Sequence, residues 1–226
     1  MQELLQNFFN LDIYRSVTPY LLEGLLTTVW LSALVIPLGL AFGLLAAVLS
    51  QEMHNRVLRA LLVVYIDVFR ALPPLVLLIF IYFGLPFLNI GIPKLAAVAL
   101  CFTLNTSSYF GEVFRAGFES VPKGQMEAAR STGLSRLQAL IHVQIPQATR
   151  AVMPDLISNM LEVVKLTTLA SAVSLPELLY LARNAQALLY NPSPLVLAAI
   201  LYLIILLPIV RYLSKLEKRK LARMSH

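Results

Sequence analysis

Cysteine and charge are both scarce in this chain. Cys101 is the single cysteine among 226 residues, so a disulfide-stabilised scaffold is excluded. Charged residues make up only 13% of the sequence and apolar residues 58%, whereas a typical soluble domain has about 25% and about 45–50%. A soluble domain of this length keeps a large exposed surface and could not bury so much apolar material. The same composition excludes intrinsic disorder, and lipid is the expected solvent for most of the chain.

The motifs of common enzyme sites are also missing. The sequence contains no GxxxxGKS/T phosphate-binding loop, no HExxH zinc motif and no GxSxG nucleophile turn. Its three histidines, His54, His142 and His226, are scattered. We therefore expect neither a metal site nor a catalytic site. The net charge is +6, and the charged residues lie between apolar runs. This arrangement indicates contact with a membrane surface rather than with a nucleic acid.

Long runs with little or no charge predict five transmembrane helices, because a bilayer-spanning helix needs roughly 20 apolar residues. Residues 24–49, 71–93, 95–111 and 184–210 carry no charge, and residues 151–176 carry only Asp155, Glu162 and Lys165. The expected fold class is all-α, a polytopic membrane protein in which residues 1–226 form a single transmembrane domain. The predicted helices cover about residues 20–49, 57–88, 94–118, 147–174 and 192–213.

Lysine and arginine are distributed unevenly around these helices. With the C-terminus in the cytoplasm, 13 of them fall in inner segments and three in outer segments. Positive charge concentrates on the cytoplasmic side, so we predict the N-terminus outside and the C-terminus inside. The basic tail from Lys215 to Arg223 would anchor at anionic lipid head groups. Residues 1–19, amphipathic over Gln2–Tyr14 and without a signal-peptide pattern, would form an outer segment on the first helix or against a partner.

The longest polar connection lies between the third and fourth spans, on the predicted cytoplasmic side. A passive connection is typically about 4–6 residues long, and this one covers residues 120–146 at least. Its pattern is that of two short helices lying across the membrane surface. Small residues on the outer face would let another protein approach closely, so we interpret the segment as a docking element.

Local sequence signals place the ends of these two short helices. Pro122 and Gly124 punctuate the exit from the third span. Gly133 can end the first short helix in the left-handed conformation, and Ser135 can cap the second. Pro146 is expected to break the chain before the fourth span.

The same segment resembles the EAA motif of ATP-binding-cassette importer permeases, which reads E-A-A, three residues, G, nine residues, I, any residue, L and P. The spacing matches throughout, with valine and isoleucine standing at the I and L positions. The resemblance extends over roughly residues 20–215, and its flanks look like the polar amino-acid uptake branch at Arg70–Pro74, Tyr109–Arg115 and Leu175–Leu178. The matching motif positions are Glu127, Ala128, Ala129, Gly133, Val143, Ile145 and Pro146.

This resemblance implies a type I importer permease of the bacterial inner membrane. Two permease subunits, identical or different, would form the translocation path, and a dimer of separate ATPase subunits would bind ATP and Mg²⁺. This chain itself would hold no cofactor and catalyse no covalent step. Its helix from Glu127 to Gly133 would dock into the ATPase, while a periplasmic or extracellular binding protein would deliver the amino acid or a close derivative.

The fourth predicted helix has the densest set of polar residues within a span, and such residues suggest function by default. At about 100° per residue they fall on one face, which we expect to look into the bundle or a wet cavity. Glu162 and Lys165 are spaced to form an ion pair. This pair could simply neutralise itself, bind a zwitterionic substrate, or act as a gate or subunit contact. The members of the face are Asp155, Ser158, Asn159, Glu162 and Lys165.

The third helix carries a second polar face, for which hydrogen bonds between helices are the first interpretation and a cavity wall is the second. Its members are Asn105, Ser108, Tyr109 and Glu112. In the second helix, Asp67 and Arg70 are predicted to pair locally. Pro73 and Pro74 are predicted to break or kink that helix.

The sequence thus favours a permease subunit driven by ATP that another chain hydrolyses. The alternative is an ion-coupled secondary amino-acid transporter, which would have no need for the Glu127–Pro146 pattern. A membrane-embedded enzyme is a third class, but no nucleophile and base are evident.

Overall fold

The computed structural model describes residues 7–53 and 55–224, with side chains as far as Lys215. All regular secondary structure in these ranges is helical, as the all-α prediction requires. Two compact units divide the chain. One consists of residues up to 36, 73–102 and from 161 onward, and the other of residues 37–72 and 103–160.

The apolar runs form long helices. Among the described residues, three helical stretches are long and apolar enough to cross a membrane, and a fourth arises if the pair Arg56–Ala71 and Pro74–Leu88 counts as one broken span. The helix Lys94–Ser120, the third predicted span, carries many polar side chains and is not in that set. The finer predictions of five spans and of their orientation therefore stay predictions. The three stretches are Leu11–Glu52, Met153–Val173 and Ser193–Lys215.

We number the α-helices in chain order. They are α1 (Leu11–Glu52), α2 (Arg56–Ala71), α3 (Pro74–Ile79), α4 (Lys94–Ser120), α5 (Lys123–Ser131), α6 (Arg136–Ala139), α7 (Ile145–Ala151), α8 (Met153–Leu166), α9 (Leu178–Leu189) and α10 (Ser193–Met224). π-Helical turns occupy Phe80–Gly84 and Leu140–Gln144, and 3₁₀ turns occupy Leu85–Leu88 and Thr167–Val173.

The N-terminal segment is partly continuous with α1. Residues 1–6 of the predicted amphipathic segment lie outside the described residues. From Leu11 onward the chain is already part of α1, a helix of 42 residues. At about 1.5 Å per residue, this helix is longer than the roughly 30 Å hydrocarbon core requires.

The second predicted span is interrupted. α2 ends at Ala71, and Leu72 is extended with φ −74° and ψ 128°. Residues that precede proline avoid the helical region, and Pro73 and Pro74 follow directly. The predicted break at Pro73–Pro74 is confirmed, and residues 57–88 form two helical stretches that count as one broken span or as none.

An unpredicted helix, α9, completes the core of the first unit. Its buried residues Leu178, Ala182 and Ala185 pack with Leu21 of α1 and Ala198 of α10. The predicted helices include none between residues 174 and 192. The apolar face of α9 packs against the N-terminal part of α1.

Close helix packing in the second unit depends on a glycine. A Cβ atom at Gly43 of α1 would lie 2.6 Å from the Phe110 side chain of α4. Phe110 is fully buried. Small residues allow this approach in membrane helices, where van der Waals packing rather than the hydrophobic effect drives association.

Candidate functional site

The docking segment begins with α5, which ends where the sequence predicted. Thr132 follows its last residue, and Gly133 has φ +92°. This left-handed conformation is costly for residues with a Cβ atom. A Cβ at Gly133 would meet nothing within 4 Å, so backbone handedness rather than lack of space requires glycine here within this chain.

The second short helix begins with a capping box. Ser135 accepts a hydrogen bond from the Gln138 backbone N–H, and the Gln138 side chain accepts one from the Ser135 N–H. The predicted cap at Ser135 is confirmed. Each partner satisfies a backbone donor that a helix start would otherwise leave free.

Pro146 does not break the chain, which corrects the sequence prediction. It is the second residue of α7, which continues directly from the π-helical turn Leu140–Gln144. A π turn changes the hydrogen-bonding pattern locally. Pro146 lies in the first turn of α7, where a missing N–H is tolerated. The actual interruption comes at Val152, between α7 and α8.

The three residues of the E-A-A pattern on α5 differ in exposure. Glu127 and Ala128 are exposed, whereas Ala129 is buried. α5 packs against the π turn Leu140–Gln144. The matched motif therefore presents a carboxylate and a small side chain outward while its second alanine packs inward.

Two contacts fasten the docking segment to the rest of its unit. Arg136 forms an ion pair with Glu52 at the end of α1, with 2.8 Å between Nε and Oε2. Gln147 of α7 donates to Gln125 of α5 over 3.4 Å. The segment is thus held at both of its short helices, which suits an element that transmits force.

The predicted polar face of the fourth span lies on α8. All five residues, Asp155, Ser158, Asn159, Glu162 and Lys165, fall within this helix. Asn159 donates to the Asp155 backbone carbonyl over 2.9 Å.

The ion pair predicted on α8 is confirmed. The Lys165 Nζ lies 2.6 Å from the Glu162 Oε1. Both side chains are more than half exposed, at 55% and 67%. An exposed pair contributes little to stability, so the two charges remain available to other groups.

The polar face of α4 supplies hydrogen bonds to the interrupted end of α2. Asn105 donates to the Phe69 carbonyl over 2.9 Å, and Tyr109 donates to the Arg70 carbonyl over 3.2 Å. A helix that stops leaves its last carbonyls without partners. The interhelical hydrogen bonds expected for this face are confirmed for these two residues, whereas Ser108 bonds the Asn105 carbonyl of its own helix.

The predicted local pair between Asp67 and Arg70 is wrong. Arg70 lies 3.9 Å from Glu112 of α4, and its guanidinium stands 5.6 Å from the centre of the Tyr109 ring. Glu112 also pairs with Arg115. The α4 side chains offer Arg70 both a carboxylate and an aromatic face, which outweigh an intrahelical pair.

Sequence reasoning missed the role of Glu177, which caps α9. Its side chain is fully buried and accepts hydrogen bonds from the Leu179 and Tyr180 N–H groups and from the Tyr202 hydroxyl. The adjacent Leu178 N–H donates to Thr28 of α1 over 3.2 Å. Burial raises the pKa of the Glu177 carboxyl, and the two backbone hydrogen bonds and the Tyr202 bond oppose that shift. Glutamate is not a favoured cap, so the sequence carried little signal.

The long apolar helices, joined by an exposed helix–turn–helix, define a multi-pass membrane protein. The chain belongs to the family described as binding-protein-dependent transport system inner membrane component, which matches residues 39–222. It is a permease subunit and not itself an enzyme, and ATP hydrolysis is carried out by a separate subunit.

Individual relatives agree with this family. The chain is 37% identical over 167 residues to the probable glutamine ABC transporter permease protein GlnP of Bacillus subtilis (strain 168), covering 74% of this chain and 75% of that protein. It is 31% identical over 203 residues to the putative glutamine transport system permease protein GlnP of Rickettsia prowazekii (strain Madrid E), covering 89% and 93%. The crystal structure of an amino acid ABC transporter with histidines matches with a TM-score of 0.81 and 31% identity, over 90% of this chain and 95% of that one.

Proposed function

We propose that this chain forms half of the translocation path of an ATP-driven importer for polar amino acids or their close derivatives. The observation that carries the proposal is the exposed Glu127–Ala128 face of α5, on a helix–turn–helix fastened at both short helices. The relatives described as glutamine and amino-acid ABC transporter permeases support the same substrate class.

The proposed orientation has five spans, the N-terminus outside and the C-terminus in the cytoplasm of a bacterium, within its inner membrane. The excess of lysine and arginine in the inner segments supports it. In this orientation α5 lies on the cytoplasmic side, where ATP is available. The part of the basic tail that follows Lys215 lies outside the described side chains.

In the proposed mechanism α5 and the turn at Gly133 dock into the ATPase and move with it as one lever. ATP can shift the transporter between two states only by favouring one of them. The lever must therefore stay rigid, which the packing of α5 against the π turn Leu140–Gln144 through the buried Ala129 supports. The exposed Arg136–Glu52 and Gln147–Gln125 contacts add little to it. The partner ATPase dimer would bind the ATP and Mg²⁺.

A second permease subunit, identical or different, would complete the path, and a periplasmic or extracellular binding protein would deliver the substrate. The proposed path residues are those of the two polar faces. They are Asn105, Tyr109, Asp155, Ser158, Asn159, Glu162 and Lys165. Glu162 and Lys165 are exposed and oppositely charged, which suits the ammonium and carboxylate of an amino acid.

The proposal is tested by expressing the chain with its neighbouring transport genes and reconstituting the purified complex in proteoliposomes. We expect an ATPase to co-purify in stoichiometric amount, and uptake of radiolabelled L-glutamine or another polar amino acid to require ATP and the binding protein. Uptake that follows an ion gradient without ATP would contradict the proposal and support the secondary transporter.

The substrate-path assignment is tested separately with Glu162→Gln. Uptake is expected to fall, because the Lys165 ammonium would lose its ion-pair partner and the path would lose a negative charge. Glu23→Gln is the matched control, because Glu23 is an exposed carboxylate on α1 outside the two polar faces. Unchanged uptake in Glu162→Gln would remove that residue from the path without affecting the ATPase proposal.

A further inference from the structure

A groove with an apolar lining lies in the unit formed by residues 37–72 and 103–160. Its volume is about 400 Å³. Phe114 of α4 is buried, whereas Ala41 of α1 and Met153 of α8 are exposed, so the groove can be entered from outside the chain. The lining residues are Leu40, Ala41, Leu44, Phe114, Thr149, Met153, Leu156 and Met160.

The groove lies toward one end of the helices that line it. Its three walls are formed by α1, by α4, and by α7 with the first half of α8. In the proposed orientation all three walls are the cytoplasmic ends of spans, and the inference rests on that orientation for the choice of leaflet.

An exposed cation is adjacent in sequence to a lining residue of the groove. Arg150 directly follows Thr149, precedes Met153 by three residues and is exposed. It forms no ion pair with any side chain that the structure describes. Arginine near a membrane surface attracts anionic head groups and binds phosphate through its planar guanidinium.

We propose that this groove and Arg150 form a binding site for an anionic phospholipid of the cytoplasmic leaflet. One acyl chain lies along α1 and α8 over Phe114, and Arg150 binds the phosphate. The largely apolar lining suits a hydrocarbon chain, and Arg150, which has no ion pair among the described side chains, suits a charged head group. A neighbouring subunit in the groove is the competing occupant that the experiment separates.

The head-group part is tested by native mass spectrometry of the purified transporter complex. The complex is stripped of lipid and incubated in detergent with equal amounts of dioleoyl phosphatidylglycerol and dioleoyl phosphatidylcholine. We expect about fivefold preferential retention of phosphatidylglycerol, the effect of one arginine near the surface. Arg150→Gln abolishes the preference, whereas Arg211→Gln, an exposed cation on α10, preserves it. A preference that survives Arg150→Gln overturns the assignment.

The groove itself is tested by filling it. Ala41→Trp is expected to remove one retained lipid per copy of this chain, and Ala33→Trp, at another exposed alanine of α1, is the matched control. Equal lipid counts in the two variants overturn the proposal. So does loss of a subunit, rather than of lipid, from Ala41→Trp. The lipid count is expressed per copy of this chain, whichever subunits co-purify. A negative result for the lipid proposal is therefore distinct from a negative result for the transport proposal.

Discussion

Replacing Gly133 tests whether the shape of the turn after α5 matters for coupling. Gly133 has φ +92°, and a residue with a Cβ atom in the left-handed region costs roughly 1–2 kcal/mol. That cost reduces the population of the observed turn about 5–30-fold. Nothing lies within 4 Å of a Cβ built there, so Gly133→Ala changes the backbone preference without creating a clash.

The assay counts amino-acid molecules imported per ATP hydrolysed by the reconstituted complex. We expect Gly133→Ala to lower this ratio several-fold and Gly133→Asp to lower it further, because a charged side chain would also enter the docking surface. Gly133→Asn should retain more coupling than Gly133→Ala, since asparagine tolerates the left-handed region.

Gly124→Ala is the matched control for this series. It lies at the other end of the same helix, also has nothing within 4 Å of a Cβ, and is not among the glycines with positive φ. We expect its transport ratio to equal that of the unmodified protein. A Gly133→Asp variant that imports as many molecules per ATP as Gly124→Ala would refute the reasoning.

Three further predictions concern stability, read as the Tm of the purified complex. Asn105→Ala leaves the Phe69 carbonyl without its donor and should lower the free energy of unfolding by about 1–3 kcal/mol. An unchanged Tm would contradict this. Gly24→Ala places a Cβ 2.9 Å from a backbone atom of α9 and should cost about 1–3 kcal/mol, whereas Gly91→Ala, with open space around it, should not. Burial raises the pKa of Glu177 above the roughly 4.3 of an unfolded chain. The stability that the protonated carboxyl contributes is therefore complete below about pH 4.3 and is lost as the pH rises through the folded-state pKa. Glu177→Gln should therefore flatten the fall of Tm with rising pH, and an identical slope would count against a buried, titrating carboxyl.

Local signals in the sequence were sufficient where backbone chemistry decides the outcome. The left-handed turn at Gly133, the cap at Ser135 and the break at Pro73–Pro74 each follow from one or two residues. The i,i+3 spacing of Glu162 and Lys165 gave the correct pair on α8, although the same spacing of Asp67 and Arg70 did not. These features need no knowledge of distant parts of the chain.

Features that depend on distant segments were not predictable. Arg70 bonds with Glu112 rather than Asp67 because α4 brings a carboxylate and a tyrosine ring to it. Pro146 stays inside a helical path because a π turn precedes it. The buried cap at Glu177 depends on Tyr202, 25 residues further along the chain. In each case the competing partner lies on another element, or the backbone departs from the regular α-helix.

The central claim is that a separate ATPase subunit binds the exposed face of α5. The most direct measurement is labelling of Ala128→Cys by a membrane-impermeant maleimide, in the reconstituted complex and in the chain alone. Ala128 is exposed in the chain, so the account predicts fast labelling of the chain alone and strong protection in the complex, with a cross-link from this cysteine to the ATPase. Equal labelling of Ala128→Cys in both preparations, in a complex that is importing substrate, would contradict it.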